Sequence, residues 1–355
     1  MASRSFLKRL KLLALHTAHA STVSRLVLNS EWRRKRLLIL CYHAATTGDE
    51  HRCFPGFYMP VEMFRQRLEF LRQWNVRVLP LAEAVERLYA GTLPRRSAVI
   101  TLDDAFYAAY KYCRPLLKEY GFPSTVYVTT YYVAFNRPPF DIMCRYLLWK
   151  ARRRELDWPE VLADGPATLD EGGRTSCGRE IFQFAARNKM GGREKDDLLA
   201  ELAGRLGIDY GQLCRDRVLH LANPEEIRLW AREADLQLHT HRHRVSRQQE
   251  TMYQELRDNI TALEQMIGGS RRHLAYPGGA CIPEYSTWLS QFGLQSAASC
   301  ETGLASAASD PMLLPRVMET AHNTPLEVAG WITGVNAFLP VRKINARPEL
   351  QEYFI

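Results

Sequence analysis

Two short runs in this sequence place residues suited to acid–base or metal chemistry directly after apolar stretches. The first is Thr101-Leu102-Asp103-Asp104, which follows Ala98-Val99-Ile100. Adjacent carboxylates repel one another unless a cation or a shared proton relieves them. The pair therefore reads as a functional site or as an Asp-rich turn capping a helix that begins at Ala105. The second run is His239-Thr240-His241-Arg242-His243, after Leu236-Gln237-Leu238. Imidazoles four residues apart on a helical turn can point at one ion, and neutral ring nitrogens suit zinc and its first-row neighbours. A lone histidine would read as a packed core residue, but three in five residues at a strand end favour a metal. Joined, the two runs give an Asp-His-His site with positions left open for water and substrate.

Such runs need elements that bring strand ends together, and the remaining sequence has that pattern. Leu37-Leu38-Ile39-Leu40-Cys41-Tyr42 is a continuous apolar run, as expected of a strand buried on both faces. Phe64, Leu68 and Leu71 stand at helical spacing, before a short strand over 76–79 and a helix over 81–90 stopped by Gly91. A strand over 98–102, a helix over 105–120 and a strand over 125–129 come after it. Further on, Asn223 is an N-cap with Pro224 at the first helical position. A strand over 236–238, a helix over 247–267 and a strand over 274–276 come next, the last leading into Pro277-Gly278-Gly279. Alternating strands and helices predict a parallel α/β architecture. Catalytic groups in such folds gather at the carboxyl ends of strands, where both runs lie. Residues 136–222, rich in Arg, Glu, Asp and Gly, break the alternation and are expected to form an insertion that serves as a lid or partner surface.

Composition bounds the alternatives. The 355 residues are 46% hydrophobic and 24% charged, which is ordinary for a folded globular chain. The formal charge of +8 concentrates in runs such as Arg33-Arg34-Lys35-Arg36, Arg152-Arg153-Arg154 and Arg271-Arg272. No zinc-finger spacing or aromatic RNA-binding signature accompanies them, so nucleic acid is not the expected partner. An anionic membrane face or a phosphate-linked lipid carrier accounts for the charge equally well, and solvated surface charge is the plainer reading of any one run. The eight cysteines form no C-x-x-C pair and lean towards a reducing compartment. No run approaches the roughly 20 apolar residues of a spanning helix. The start imitates a signal peptide, but its apolar stretch is short and is broken by His16 and His19. Phe6, Leu10 and Leu13 share one helical face, so residues 1–36 are expected to be a basic amphipathic segment that lies on a membrane or packs on the domain. The expected location is cytoplasmic or peripheral on the membrane rather than secreted. The barrel is expected over 37–335 and a tail over 336–355.

The order and spacing of these motifs resemble the polysaccharide deacetylase family, with its NodB-homology domain (carbohydrate esterase family 4). The motif T-F-D-D-G appears as Thr101-Leu102-Asp103-Asp104-Ala105, and H-[ST]-x-x-H as His239 to His243. A Pro- and Gly-containing third motif appears as Tyr276-Pro277-Gly278-Gly279. The resemblance covers about residues 37 to 320, including Tyr42-His43 and Leu314-Pro315-Arg316-Val317. It implies a distorted parallel (β/α) barrel of the NodB-homology type with a helical insertion. The implied activity is metal-dependent removal of the N-acetyl group from an amino sugar, in a polysaccharide or a lipid-linked glycan precursor. On the matching positions, Asp104, His239 and His243 would hold a divalent metal, with zinc preferred and cobalt, nickel or iron as alternatives. Asp103 would be the base that takes a proton from the attacking water. Tyr276, Pro277, Gly278 and Arg316 would meet the substrate, a backbone N–H near Gly278 helping to stabilise the oxyanion.

The family's usual acid, a histidine near the C-terminus, has only a poor match in His322. His43 is the better candidate, in an arrangement similar to circularly permuted biofilm-polysaccharide deacetylases with an N-terminal Y-H strand. Its alternative is a strand-end histidine that merely hydrogen-bonds Asp103 or Asp104. Two departures stand out: Ala105 occupies a glycine position, and Ala275 lies near where a base-orienting arginine often stands. Arg316 is then either a compensating charge or a structural ion-pair partner. A deformylase or O-deacetylase at the same site, and a catalytically inactive glycan- or membrane-surface-binding protein, are the competing readings.

Overall fold

The computed structural model describes residues 2–163 and 165–340, with side chains from residue 8 onward. The apolar run at 37–42 lies in strand β1 (Arg36–Tyr42), whose residues from Leu37 on are at most 1% exposed. Burial on both faces is what a central parallel strand requires. Its side chains alternate as a pleat dictates: Leu38, Leu40 and Tyr42 enter the larger core under the helices, while Leu37 and Ile39 enter a smaller one with Val99, Tyr127 and Ala275.

Eight more strands complete the main sheet: β2 (Arg77–Val78), β3 (Ser97–Leu102), β4 (Thr125–Val128), β5 (Asp235–Leu238), β6 (His273–Ala275), β7 (Ser296–Ala298), β8 (Ala305–Ser306) and β9 (Val317–Met318). The order β7-β6-β5-β4-β3-β1 is parallel throughout, with β2 parallel to β3 and β9 parallel to β1. Only β8 runs antiparallel, against the start of β1. The sheet curls into a half-barrel whose two edges are joined by one segment: Leu314 bridges Ala298 of β7, and Val317 pairs with Leu40 of β1. Arg316 sits within that closing segment.

One expected helix begins late. Over 105–120 the chain first turns left-handed at Asp104 and Ala105, and Phe106 bridges Leu221. A π-helical turn (Ala109–Cys113) leads into the helix Arg114–Tyr120. Residues 136–222 fold largely into helices, including Phe140–Lys150, Glu171–Arg187 and Gly192–Leu206, with a small hairpin-like pair Glu155–Leu156 and Ala167–Thr168. The region is continuous with the main core through Met143, Leu147, Trp158 and Leu199. Asn223 caps the helix Pro224–Trp230 in a capping box with Glu226.

Before β1 lie helices α1 (Ala2–Ala20), α2 (Val23–Asn29) and α3 (Glu31–Arg34). They pack on the helix Pro325–Thr333 through the buried Leu15 and Leu28. A Cβ on Gly330 would come within 2.7 Å of Leu15, so glycine permits this close approach. Arg33 is fully buried, donating to the carbonyls of Ile332 and Arg36 at 3.1 and 2.8 Å, and burial pushes its pKa down to about 10. The tail expected over 336–355 starts inside a packed 3₁₀ turn (Val335–Phe338), where Phe338 meets Trp32; its part from 341 on lies outside the described residues. No helix among the described residues is long and apolar enough to cross a membrane. All eight cysteines are free thiols.

Candidate metal centre

Parallel pairing aligns the strand ends so that chemistry-bearing residues emerge side by side. Tyr42 of β1 is in register with Leu102 of β3, which sets His43 beside Asp103 and Asp104. The Asp103 N–H donates to the Tyr42 carbonyl at 2.9 Å. Leu238 of β5 pairs with Leu274 of β6, which brings His239 against the end of the next strand.

Asp104 Oδ1 lies 3.2 Å from His239 Nε2 and 3.1 Å from His243 Nε2, and one ligand atom from each of the three residues lies within 4.8 Å of the others. His239 Nδ1 is 2.8 Å from the Ala275 carbonyl, an interaction that requires the ring proton on Nδ1. The Nε2 lone pair then faces the Asp104 carboxylate. Asp104 Oδ1 is buried without a hydrogen bond. Acceptor atoms converging on one point in a buried site are costly unless a proton or a metal cation lies between them, and against the opposing effect of burial Asp104 raises the His243 pKa accordingly. The donor set therefore fits a first-row divalent metal, with one carboxylate and two imidazoles holding it and room for exchangeable ligands.

Local backbone geometry serves this convergence. The histidine spacing predicts a helical turn, but residues 239–244 form an irregular loop in which Thr240 and His243 are left-handed, with φ of 58° and 59°. Asp104 and Ala105, with φ of 71° and 63°, are left-handed as well. Four such non-glycine residues around one site cost strain that neighbouring contacts must hold. Thr240 Oγ1 accepts the Arg244 N–H, and Glu255 accepts from the Arg242 N–H and guanidinium. Asn259, fully buried on the helix Gln249–Ile267, accepts the His239 N–H at 3.0 Å. It also donates to the Val128 carbonyl and to Thr130 Oγ1. His241 turns away from the ligand pair, with its Nδ1 2.8 Å from Thr130 Oγ1.

Asp103 has a different environment. Arg316 donates to both of its oxygens, at 2.8 and 2.9 Å, and the Cys41 thiol donates to Oδ2 at 3.3 Å. Burial opposes ionisation of Asp103, but the Arg316 charge, with His239 and the Arg316 hydrogen bonds, outweighs it and holds the carboxyl below its ordinary range. Burial likewise opposes ionisation of Asp104, while His243 and His239 hold it well below that range. Two adjacent carboxylates thus stay ionised for separate reasons. His43 Nε2 is 3.9 Å from Asp104 Oδ2. Burial lowers the His43 pKa more than the charges of Asp104 and Asp103 raise it.

The remaining sequence candidates divide by position. Arg316 is fully buried behind Asp103, so it clamps that carboxylate instead of facing substrate. Tyr276 is also fully buried, and its hydroxyl donates to the Met312 carbonyl. Pro277 is buried, and Gly278 carries a left-handed turn beside the ligand-bracing Ala275. His322 is exposed and has no ion pair with Asp103 or Asp104, so of the two candidate acids His43 is the one that lies near the carboxylates. Motif reading missed Cys41, Asn259 and Phe57. Phe57 is 39% exposed, and its ring packs edge-on against His43 with centroids 4.9 Å apart. Phe57 lies in a turn between Phe54 and Tyr58, and nothing in that local run points to His43.

Comparison with known proteins bears on the fold. A family model described as polysaccharide deacetylase matches residues 204–297. No curated protein matches the chain by sequence. Among solved structures, the Streptococcus pyogenes deacetylase PplD in complex with acetate superposes with a TM-score of 0.55 at 15% identity, covering 84% of this chain and 98% of that one. A de-N-acetylase from Aggregatibacter actinomycetemcomitans gives 0.52 at 10% identity over 83% and 99%, and IcaB from Ammonifex degensii 0.50 at 18% over 84% and 97%. At these identities the likeness establishes the fold, which is that of the polysaccharide deacetylases.

Proposed function

We propose that this chain, which has the polysaccharide deacetylase fold and matches that family over residues 204–297, is a metal-dependent hydrolase of N-acetylated amino sugars. Its substrate is a polysaccharide or a lipid-linked glycan precursor. The observation that carries the reading is the division of labour between adjacent carboxylates: Asp104 converges with His239 and His243, while Asp103 is held apart by Arg316. A divalent cation, with zinc preferred, supplies Lewis-acid activation of water and of the acyl oxygen at such a site. Asp103 takes a proton from the attacking water, and the Arg316 fork fixes the direction in which its oxygens point. His43 delivers a proton from Nε2 to the leaving nitrogen. The exposed face of Phe57 offers the sugar ring an apolar surface next to His43.

The same site would attack any accessible acyl carbonyl, so the test must vary the acyl group. Rates are measured on N-acetyl, N-formyl and O-acetyl glucosamine oligomers, for the wild type and for Asp103→Asn. The expected result is preference for the N-acetyl oligomer, with a loss of at least about a hundredfold in the variant. Turnover that Asp103→Asn leaves unchanged would overturn the assignment, and preference for the O-acetyl oligomer would replace de-N-acetylation by esterase activity.

A further inference from the structure

The first 36 residues contain nine Lys or Arg and one Glu, a net of +8, which equals the formal charge of the whole chain. Everything after residue 36 is therefore balanced. That lone acid, Glu31, is paired with Arg34 at 2.6 Å. Lys8, Arg9, Arg25 and Lys35 are exposed on the same short helical layer.

The layer also concentrates exposed apolar side chains. Among the described residues, eight large hydrophobics are exposed, and five of them are Leu10, Leu13, Val23, Leu26 and Phe338. The three most exposed, Leu26 at 67% and Leu13 and Phe338 at 62%, are all in this group. Leu10 and Leu13 are three residues apart on α1, as are Val23 and Leu26 on α2, so each pair lies on one helical face. The opposite faces are already used, since Leu15 and Leu28 are buried against the domain. Packing on the barrel accounts for the inner residues and leaves the outer leucines unexplained. The 3₁₀ turn bearing Phe338 contacts α1, which joins it to the same layer.

We propose that α1, α2 and the turn Val335–Phe338 form a docking surface for an anionic lipid bilayer. Charge complementarity selects this occupant: basic side chains draw the layer to acidic headgroups, and the leucines then insert at the headgroup boundary. A nucleic acid would use the charge and gain nothing from outward-facing leucines. The proposal is independent of the hydrolytic reading, because none of these residues belongs to the metal centre.

The test is co-sedimentation of the full chain with vesicles of phosphatidylcholine alone and of phosphatidylcholine containing about one-third phosphatidylglycerol. The expected result is binding to the phosphatidylglycerol vesicles only, weakened by raised salt. The exposed double substitution Leu13→Glu with Leu26→Glu should cut that binding by at least about tenfold, while acetate release and the melting temperature stay as in the wild type. Absence of binding to the phosphatidylglycerol vesicles would overturn the proposal. So would undiminished binding by the double variant, which would mean charge alone was responsible.

Discussion

Arg316 decides how Asp103 behaves. A guanidinium and a carboxylate, both buried, meet in a two-pronged contact. Removing one partner of such a pair leaves an unpaired buried charge, a loss of roughly 3–5 kcal/mol. Arg316→Met is thus expected to lower unfolding stability by that amount in urea titrations. Arg316→Lys keeps the charge but not the planar fork, and should lower kcat more than it raises KM. A methionine variant as stable as the wild type would show that the pair does not hold Asp103. Phe57→Ala should do the reverse, raising KM for the glycan with little change in kcat, since the ring offers binding surface and no proton. Asp103, Asp104, His239 and His243 were legible in the sequence because ionisable residues at the ends of apolar strands need a reason. Arg316 was readable only as a compensating charge or a structural ion-pair partner, because its partner lies 213 residues away and only closure of the sheet brings them together.

Among the elements, the helix Gln249–Ile267 braces the candidate metal centre without supplying a ligand to it. Its Asn259 ties the backbone of His239 to the ends of β4, and every bond it makes is buried. Asn259→Leu should destabilise the fold by about 1–3 kcal/mol, because the His239 N–H loses its acceptor. It should also weaken zinc binding by roughly 10–100-fold, as measured by calorimetry. Unaltered metal affinity would mean that His239 is oriented by the Ala275 carbonyl alone. The strand and helix alternation was readable from apolar periodicity, which the parallel sheet reproduces. The turns at the site were not. Ala105 favours a helix by propensity, yet it is held left-handed while its carbonyl accepts the Ala222 N–H. Histidines four apart suggest a helix, yet the loop reaches convergence through positive φ at Thr240 and His243. Strain at a site is set by contacts from distant segments, and local pattern does not encode it.

At the scale of the molecule, closure of the half-barrel buries a second ion pair, Arg67 with Glu319, at 3.1 Å. Burial pushes the Glu319 carboxyl up to about 7, with Arg67 only partly offsetting it. A carboxyl raised in the folded state binds more protons there than in the unfolded chain between about pH 4.5 and 7. Its stabilising contribution is complete below the unfolded value and is lost as pH rises through the folded one. Thermal unfolding from pH 4.5 to 7.5 should therefore show a decline that Glu319→Gln flattens, on the order of 3 kcal/mol over the interval. Parallel decline in both proteins would assign the slope to other groups. The strands of this closure were only partly readable: β9 is two residues long and was visible only as part of a motif, not as a strand.

The proposed activity depends on a metal held by Asp104, His239 and His243. That dependence is tested by stripping the protein with a chelator, then tracking bound metal, Tm and acetate release from an N-acetylglucosamine oligomer as zinc is returned. The expected outcome is one metal per chain, loss of acetate release on stripping and recovery on return. Tm should rise together with activity, as expected when a ligand at a hundred times its Kd adds about 2.7 kcal/mol, and His239→Ala should show neither recovery. Acetate release that persists undiminished in protein proven free of metal would contradict the account.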